Sequence, residues 1–465
     1  MITAMKPAIL VACPMLPALL AAQPSTDRIG IEKDYARINA EAEKASKVPL
    51  RPAAEFTARS GMPNLFAKLS RGEPVTIAYY GGSITAGPGW RTATLAWFRR
   101  NFPGAGITEH NASLGGSGSL VGVFRADHDL VAAKPDAVFI EFSLNDVADT
   151  RDRPDEVSGA LEGIVRKLRK SKPETDICLA YTLHSSAVDL INGGKFSASV
   201  SLHEQVAEHY GIPTVHMGMA AAALAKDDKL VFTGPKSRGD LDDRGRIIFT
   251  NDGTHPTETG HRLNGEAAIR GLEKLRAHTK SRSHPLPNAL SPIPWEKAKT
   301  VPVEGNASFQ GDWKKLTAAN GPSCRRFGKR FYQWFPHLYR TTESGASVTV
   351  RFRGTHIGLK GMEGPDSGVA SIRVDGGPPV KQVLFTVYSN AWVYVGAPLP
   401  AMPMGDHTAT WTLTGETPPK EKMLAVKKTD NDLRDHPEKY RENSLSVGQI
   451  IVLGDLLDAS GNPMP

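Results

Sequence analysis

Val75-Thr76-Ile77-Ala78-Tyr79-Tyr80-Gly81-Gly82-Ser83-Ile84-Thr85 is the stretch on which the reading of this chain turns. Its first six residues are mostly β-branched or aromatic, which predicts a buried strand over 75–80. Two glycines stop the strand, Ser83 follows, and a helical pattern carrying Trp97 and Phe98 comes next. A serine on a strand-to-helix turn exposes its hydroxyl. Its N–H also joins a helix N-terminus, where developing negative charge is stabilised. Ser83 therefore reads as a nucleophile or as the N-cap of that helix, a position serine favours.

The pattern recurs downstream. Lys134-Pro135 leads into a second strand, 136–142, which ends at Ser143-Leu144-Asn145-Asp146. Ligands of open α/β sheets bind outside the carboxyl ends of the strands. Asn145 there either donates its amide to an oxyanion or closes an Asx turn. Between the two strands lies Asn111-Ala112-Ser113-Leu114-Gly115-Gly116-Ser117-Gly118-Ser119. Its glycines permit close backbone approach to a ligand, or simply make a loop. It matches neither a dinucleotide fingerprint nor a P-loop, so nucleotide binding is not supported. A third segment, Asn251-Asp252-Gly253-Thr254-His255-Pro256, precedes a helix with Leu263, Ala267, Ala268 and Leu272 on one face. Asp and His three residues apart can bond through the imidazole Nδ1, leaving Nε2 to take a serine proton. Further strands are expected at 177–182 and 213–216. Strands alternating with helices predict a parallel sheet covered on both faces.

Taken together, the three segments resemble the SGNH hydrolase superfamily, also called GDSL-type esterases, over roughly residues 60–280, including the lead-in Gly61-Met62-Pro63-Asn64-Leu65. The Gly-x-Ser-x-Gly elbow of the α/β-hydrolases is absent, which fits this different architecture. The resemblance implies a three-layer α/β/α, flavodoxin-like catalytic domain. It implies Ser83 as nucleophile, Gly116 and Asn145 as oxyanion donors, and Asp252 and His255 as acid and base. Two departures stand out. The usual Gly-Asp-Ser-Leu is Gly81-Gly82-Ser83-Ile84, and the usual Gly-x-Asn-Asp is Ser143-Leu144-Asn145-Asp146. Neither removes a catalytic group. They look like the Gly-Gly-Ser-Ile-Thr branch, commonly tied to polysaccharide breakdown. Near the nucleophile, Trp90 can stack on a sugar or pack beneath the loop, and Arg91 can bind a hydroxyl or carboxylate. His184, after the third strand, is a further candidate contact.

The 465 residues suit two or three domains. The N-terminus, 1–22, has a basic start and an apolar stretch ending Leu20-Ala21-Ala22, which reads as a cleavable signal peptide and implies a periplasmic or extracellular protein. Leu10-Val11-Ala12-Cys13 is the lipoprotein alternative, preceded by a very short apolar run. No later stretch has the length of a transmembrane anchor. Residues 23–60 are expected to be a polar, helical segment packed on a hydrolase domain at 61–278. Of 3 cysteines, Cys178 sits in an apolar strand and reads as core, and a Cys178–Cys324 disulfide is not favoured. No metal-ligand spacing appears; His203-Glu204 and His209 are not His-Glu-x-x-His and suit a helix surface. Neither metal nor cofactor is expected.

The net charge of +7 is modest for this length. The run Arg166-Lys167-Leu168-Arg169-Lys170-Ser171-Lys172 reads as a solvated helix end before Pro173. The run Cys324-Arg325-Arg326-Phe327-Gly328-Lys329-Arg330-Phe331-Tyr332-Gln333-Trp334 mixes cations with aromatics. It suits half-buried strands or an acidic glycan; with an export signal, nucleic acid is not expected. Residues 279–300, with Ser283-His284-Pro285-Leu286-Pro287 and Ser291-Pro292-Ile293-Pro294, have linker chemistry. Beyond them, in 301–465, the period becomes two. Segments 347–359, 370–375, 407–413 and 447–453 predict an antiparallel β-sandwich. Phe352-Arg353-Gly354-Thr355, Val374-Asp375-Gly376 and Gly405-Asp406-His407-Thr408 resemble jelly-roll modules attached to some carbohydrate esterases. Residues 416–444 read as a charged, mobile insertion.

The expectation is an exported serine esterase that removes O-acyl groups, chiefly O-acetyl, from an acylated poly- or oligosaccharide. The alternatives are a short-chain lipid or aryl esterase, an acyltransferase using the same triad, and a glycan-binding protein without catalysis. Oligomeric state is not legible.

Overall fold

The computed structural model describes residues 35–277, 280–326, 328–333 and 335–464. The leader at 1–22 with its cysteine box lies outside the described residues, as do Phe327 and Trp334 of the basic aromatic run. The described residues form a six-stranded sheet in the order β1-β6-β5-β4-β2-β3. Its strands are β1 (Phe56–Thr57), β2 (Val75–Gly81), β3 (Ile107–Asn111), β4 (Ala137–Glu141), β5 (Asp176–Tyr181) and β6 (Thr214–His216). Strands β2 to β6 are parallel, and β1 is added antiparallel to β6. Of the segment 23–60, expected to be helical, the described part 35–60 holds the helix Tyr35–Ala45 and then supplies an edge strand.

Successive side chains point to opposite faces, so the strands feed two cores. Tyr80, Val138, Ile140, Leu179 and Tyr181 enter one, under the helices Ser119–Asp129, Pro154–Ser171 and Ala198–His209. Ile77, Tyr79, Phe139, Cys178 and Ala180 enter the other, under Pro63–Ser70, Trp90–Asn101 and Glu258–Leu275. Burial on both faces is why these strands read as nearly unbroken apolar runs. The chain runs from β2 outward to β3, then crosses to β4 on the other side of β2. That reversal opens a crevice at the carboxyl ends of β2 and β4, where such sheets hold ligands.

The second part is rich in antiparallel sheet. The long strand Ser347–Glu363 is its spine, paired with Gly405–Leu413 on one side and Gln449–Leu456 on the other. Val369–Val374 and Val380–Val383 extend one edge, and Ala298–Pro302 the other. A three-stranded sheet of Lys314–Leu316, Leu338–Thr341 and Leu445–Val447 lies alongside. Val348, Val350, Phe352, Ile372, Trp411, Val447 and Val452 share the core.

Three expectations need correcting. Residues 280–294 hold no helix or strand, yet the expected linker is packed onto the protein. His284 is buried and bonds Asp176 Oδ1 at 2.6 Å. Trp295 is fully buried against Phe124 and His356, seated over Gly159 and Gly163, where a Cβ would lie 2.4 Å and 2.8 Å from it. The run 166–172 is accordingly not solvated throughout. Arg166 donates to the Pro287 carbonyl at 2.8 Å, and Arg169, buried, to the Pro285 carbonyl at 2.7 Å. A Pro-rich strap without a sheet partner leaves carbonyls to be satisfied, and these guanidinium groups satisfy them. Third, the insertion 416–444 is folded. It contains the helices Lys420–Val426 and Asn431–Asp435, packs Met423 and Leu424 on Phe385 and Tyr440, and buries Lys420, whose Nζ donates to the carbonyls of Tyr440 and Glu442.

Candidate active site

The crevice at the ends of β2 and β4 receives the three segments. β2 ends at Gly81 and the short helix Ser83–Ala86 begins directly, with Gly82 before it. The first N–H groups of a helix lack intrahelical partners, and the Ser83 N–H is one of them. Ser83 Oγ lies 2.8 Å from His255 Nε2. His255 Nδ1 lies 2.7 Å from Asp252 Oδ2. The other carboxylate oxygen of Asp252 accepts the N–H of His255 at 2.8 Å and of Thr254 at 3.0 Å. Burial pushes the Asp252 carboxyl upward, yet the bonds from the His255 side chain and from the His255 and Thr254 backbone outweigh it and hold the group well below the usual carboxylate range. It is therefore charged at neutral pH, fixes the His255 ring and selects the tautomer with Nε2 facing Ser83.

The glycine-rich loop is zipped onto the end of β2. Ala112 N donates to the Tyr79 carbonyl and Leu114 N to the Gly81 carbonyl, each at 2.9 Å. This sets Gly115 beside Ser83, where a Cβ on Gly115 would lie 3.5 Å from Ser83 Cβ. Gly116 follows with φ +75°, a conformation that favours glycine. Asn145 comes from the loop after β4. Its carboxamide occupies the place where Gly82 would carry a Cβ, with Oδ1 2.0 Å from that point. Ser83, Asp252, His255, Gly116 and Asn145 are thus brought to one crevice.

The remaining candidates are not. Trp90 is fully buried, edge-on to Tyr79 and Phe139 at ring distances of 5.6 Å and 6.3 Å, with Nε1 donating to Thr85 Oγ1. It packs beneath the loop and has no face for a sugar. Arg91 is buried, donates to the carbonyls of Thr85 and Gly87, and pairs with Glu109. It braces the turn after Ser83 from behind. His184 is 2 % exposed, bonds Ser186 Oγ at 2.7 Å and faces Glu43 of the N-terminal helix. Burial lowers its pKa to about 4, so it is a neutral core histidine.

Other residues hold the site and were given no role from sequence. Asp146, fully buried, accepts the N–H and the hydroxyl of Ser119 at 2.7 Å and 2.6 Å and bonds His203 Nε2 at 2.9 Å. It ties the Asn145 loop to the helix that follows the glycine loop. His203 is therefore buried, not on a helix surface, and Glu204 beside it accepts from Tyr181 and pairs with Arg59. The recurrence of Ser199, His203 and Val206 on one helical face was the available signal. Glu141, at the end of β4, is fully buried and accepts from Thr85 Oγ1 at 2.9 Å and Thr182 Oγ1 at 3.2 Å. Burial raises its pKa to about 8, so it is mostly protonated at neutral pH.

A cavity of about 710 Å³ opens from Leu114, Gly115, Gly116 and Ser117 into the sheet-rich part, where Tyr388, Tyr394 and Leu384 line it. Among the described residues, no group of three His, Cys, Asp or Glu side chains is arranged to hold a metal, and Cys178 and Cys324 are buried and free. No described helix is long and apolar enough to cross a membrane.

Ser83, His255 and Asp252 thus stand in line at the topological switch of a flavodoxin-like sheet. Residues 79–263 match the family description GDSL-like Lipase/Acylhydrolase, which supports the SGNH resemblance read from the sequence. The whole two-part fold is similar to a two-domain esterase active on acetylated mannans, co-crystallized with mannopentaose: TM-score 0.61 and 22% identity over 88% of this chain and 97% of that one. A second structure of a two-domain esterase active on acetylated mannans matches at TM-score 0.61 and 23% identity, with the same coverage. A catalytic mutant of an acetylxylan esterase from Geobacillus stearothermophilus matches at 18% identity and TM-score 0.32, over 45% of this chain and 97% of that one. A comparison with curated proteins gave no match.

Proposed function

We propose that this protein is an exported serine esterase that hydrolyses O-acetyl groups from a poly- or oligosaccharide. The observation that carries the reading is the unbroken chain Ser83 Oγ–His255 Nε2, His255 Nδ1–Asp252 Oδ2, at 2.8 Å and 2.7 Å, beside Gly115-Gly116 and Asn145. His255 takes the Ser83 proton as Oγ attacks the ester carbonyl, and Asp252 stabilises the imidazolium that forms. The oxyanion is held by the N–H of Ser83, the N–H of Gly116 and the Asn145 amide, each such donor worth about 3 kcal/mol of barrier. As the tetrahedral intermediate collapses, the C–O bond to the sugar breaks and His255 gives its proton to the leaving sugar oxygen, which departs as a hydroxyl. Water, deprotonated by the same imidazole, releases acetate from the acetyl-Ser83 intermediate.

The carbohydrate assignment draws support from the two-domain neighbour active on acetylated mannans and from the cavity that leads from the glycine loop into the sheet-rich part. The test is acetate release from a panel of acetylated polysaccharides by the protein and its Ser83→Ala variant. Release that depends on Ser83 supports the reading. Cleavage of short aryl esters without acetate release from any glycan returns it to a small-ester hydrolase.

A further inference from the structure

The cavity beside the glycine loop has a cationic wall that comes from the second part of the chain. Cys324 and Gly328 exchange two backbone bonds, Gly328 N donating to the Cys324 carbonyl at 2.7 Å and Cys324 N to the Gly328 carbonyl at 3.2 Å. Arg325 N donates to the Trp392 carbonyl at 2.7 Å, pinning Arg325 to the neighbouring segment. Arg325 and Arg326 supply two guanidinium groups. Arg326 Nη1 would lie 2.9 Å from a Cβ on Gly115, a point only 3.5 Å from Ser83 Cβ, so this arginine and the nucleophile flank the same glycine. Arg325 sits 5.9 Å from the Tyr388 ring centroid, and Lys427 Nζ approaches the same ring at 5.2 Å. Tyr388 is one of few large apolar side chains exposed among the described residues. Against Arg325 and Arg326, the described lining of the cavity carries one carboxylate, Glu363. Burial and the nearby Arg125 lower the Arg326 guanidinium from its ordinary value, a sign that it stands partly out of water.

Arginine forks match planar anions, and a cation in a concave, partly desolvated wall binds an incoming anion more strongly than one on an open surface. We propose that Arg325 and Arg326 select glycan chains that carry an anionic sugar next to the acetylated one, with Arg326 as the specificity residue and Arg325 with Tyr388 as an outer platform for the adjoining ring. The inference rests on the esterase reading above and adds the charge of its substrate. The anion is a uronate carboxylate or a sulfate ester, which present the same chemistry to the fork.

The experiment compares kcat/KM for acetate release by the full protein from an O-acetylated polyuronate, an O-acetylated sulfated galactan and an O-acetylated neutral mannan. At low salt, at least one acidic glycan is preferred over the mannan by about tenfold or more. That preference shrinks as salt is raised, through KM rather than kcat. Arg326→Gln brings the acidic-to-neutral ratio close to one, and Arg326→Lys, which keeps the charge but loses the fork, falls between. Whether polyuronate or sulfated galactan is preferred names the anion. A neutral mannan turned over as well as either acidic glycan, or an unchanged ratio in Arg326→Gln at unchanged melting temperature, overturns the inference. Acetate release from no glycan, with aryl ester cleavage retained, removes the glycan reading itself and this inference with it.

Discussion

Gly82 and Asn145 occupy complementary space: a methyl group on Gly82 would meet the Asn145 Oδ1 at 2.0 Å and its Cγ at 2.9 Å. The departure from Gly-Asp-Ser-Leu to Gly81-Gly82-Ser83-Ile84 is therefore coupled to how Asn145 enters the crevice. Gly82 has an ordinary φ of −81°, so the constraint is room and not backbone conformation. Gly82→Ala is expected to push Asn145 aside and lower kcat on a short aryl acetate by about 10²–10³-fold, as loss of an oxyanion donor does. Asn145→Ala should show a similar loss. A Gly82→Ala protein with full kcat would disconnect Asn145 from catalysis.

Asp252 touches His255 through both carboxylate oxygens. Asp252→Asn keeps the shape but lets the ring take the wrong tautomer. Its kcat should fall by about 10⁴-fold, the scale known for such triads. Because His255 and Thr254 hold the Asp252 carboxyl well below its ordinary range, the wild-type acid limb of kcat/KM should show no step from the aspartate above pH 4. A slope of two on that limb would contradict this.

Glu141 gives a pH-dependent stability. Burial raises its folded-state pKa to about 8 against 4.5 for the free carboxyl. Below the lower value both states are protonated. Between the two the folded state holds more protons than the unfolded one, so its contribution to stability is lost as pH rises through 8. Glu141→Gln should remove that slope. Melting temperatures at pH 5 and pH 9 should diverge, with the variant gaining on the wild type at the higher pH. Parallel curves would mean that Glu141 is not a buried neutral acid.

Asp146 is the buried link between the Asn145 loop and Ser119 and His203. Asp146→Ala strands several buried polar groups and should cost about 3–5 kcal/mol of stability. It should also lower kcat, since Asn145 loses its anchor. Urea unfolding and aryl ester kinetics on the same preparation check both, and an unaltered kcat would make Asp146 purely structural.

Trp295 fastens the 279–300 strap over Gly159 and Gly163. Trp295→Ala should cost about 3–5 kcal/mol. Calorimetry should also show the two sheet systems melting less cooperatively, because Trp295 shares one apolar cluster with Phe124 of the first and Ile451 and Leu453 of the second.

Much of the site was legible because its information is local. β-branched runs ending in Gly81-Gly82-Ser83 and in Ser143-Leu144-Asn145 announce strands and the edge they end at. Asp252 and His255 lie three residues apart on one loop, so their bond needs no distant partner. The period-two segments after residue 300 likewise state their own pairing class. What sequence could not say is which residues meet across the fold. Trp90 has the chemistry to stack on a sugar, yet the second core already offered it Tyr79 and Phe139. Pro-rich chemistry marked 279–300 as a tether, and only the matching groove at Gly159 and Gly163 and the donors Arg166 and Arg169 made it a strap. Arg326 is remote in sequence from Gly115 and arrives beside it only because the second sheet docks on the helix Ser119–Asp129, where Thr300 Oγ1 donates to the Phe124 carbonyl at 2.8 Å. Period, turn chemistry and short-range hydrogen bonds are written residue by residue along the chain. The fate of an amphipathic side chain depends on the packing of every element around it, and that was decided by the tertiary structure alone.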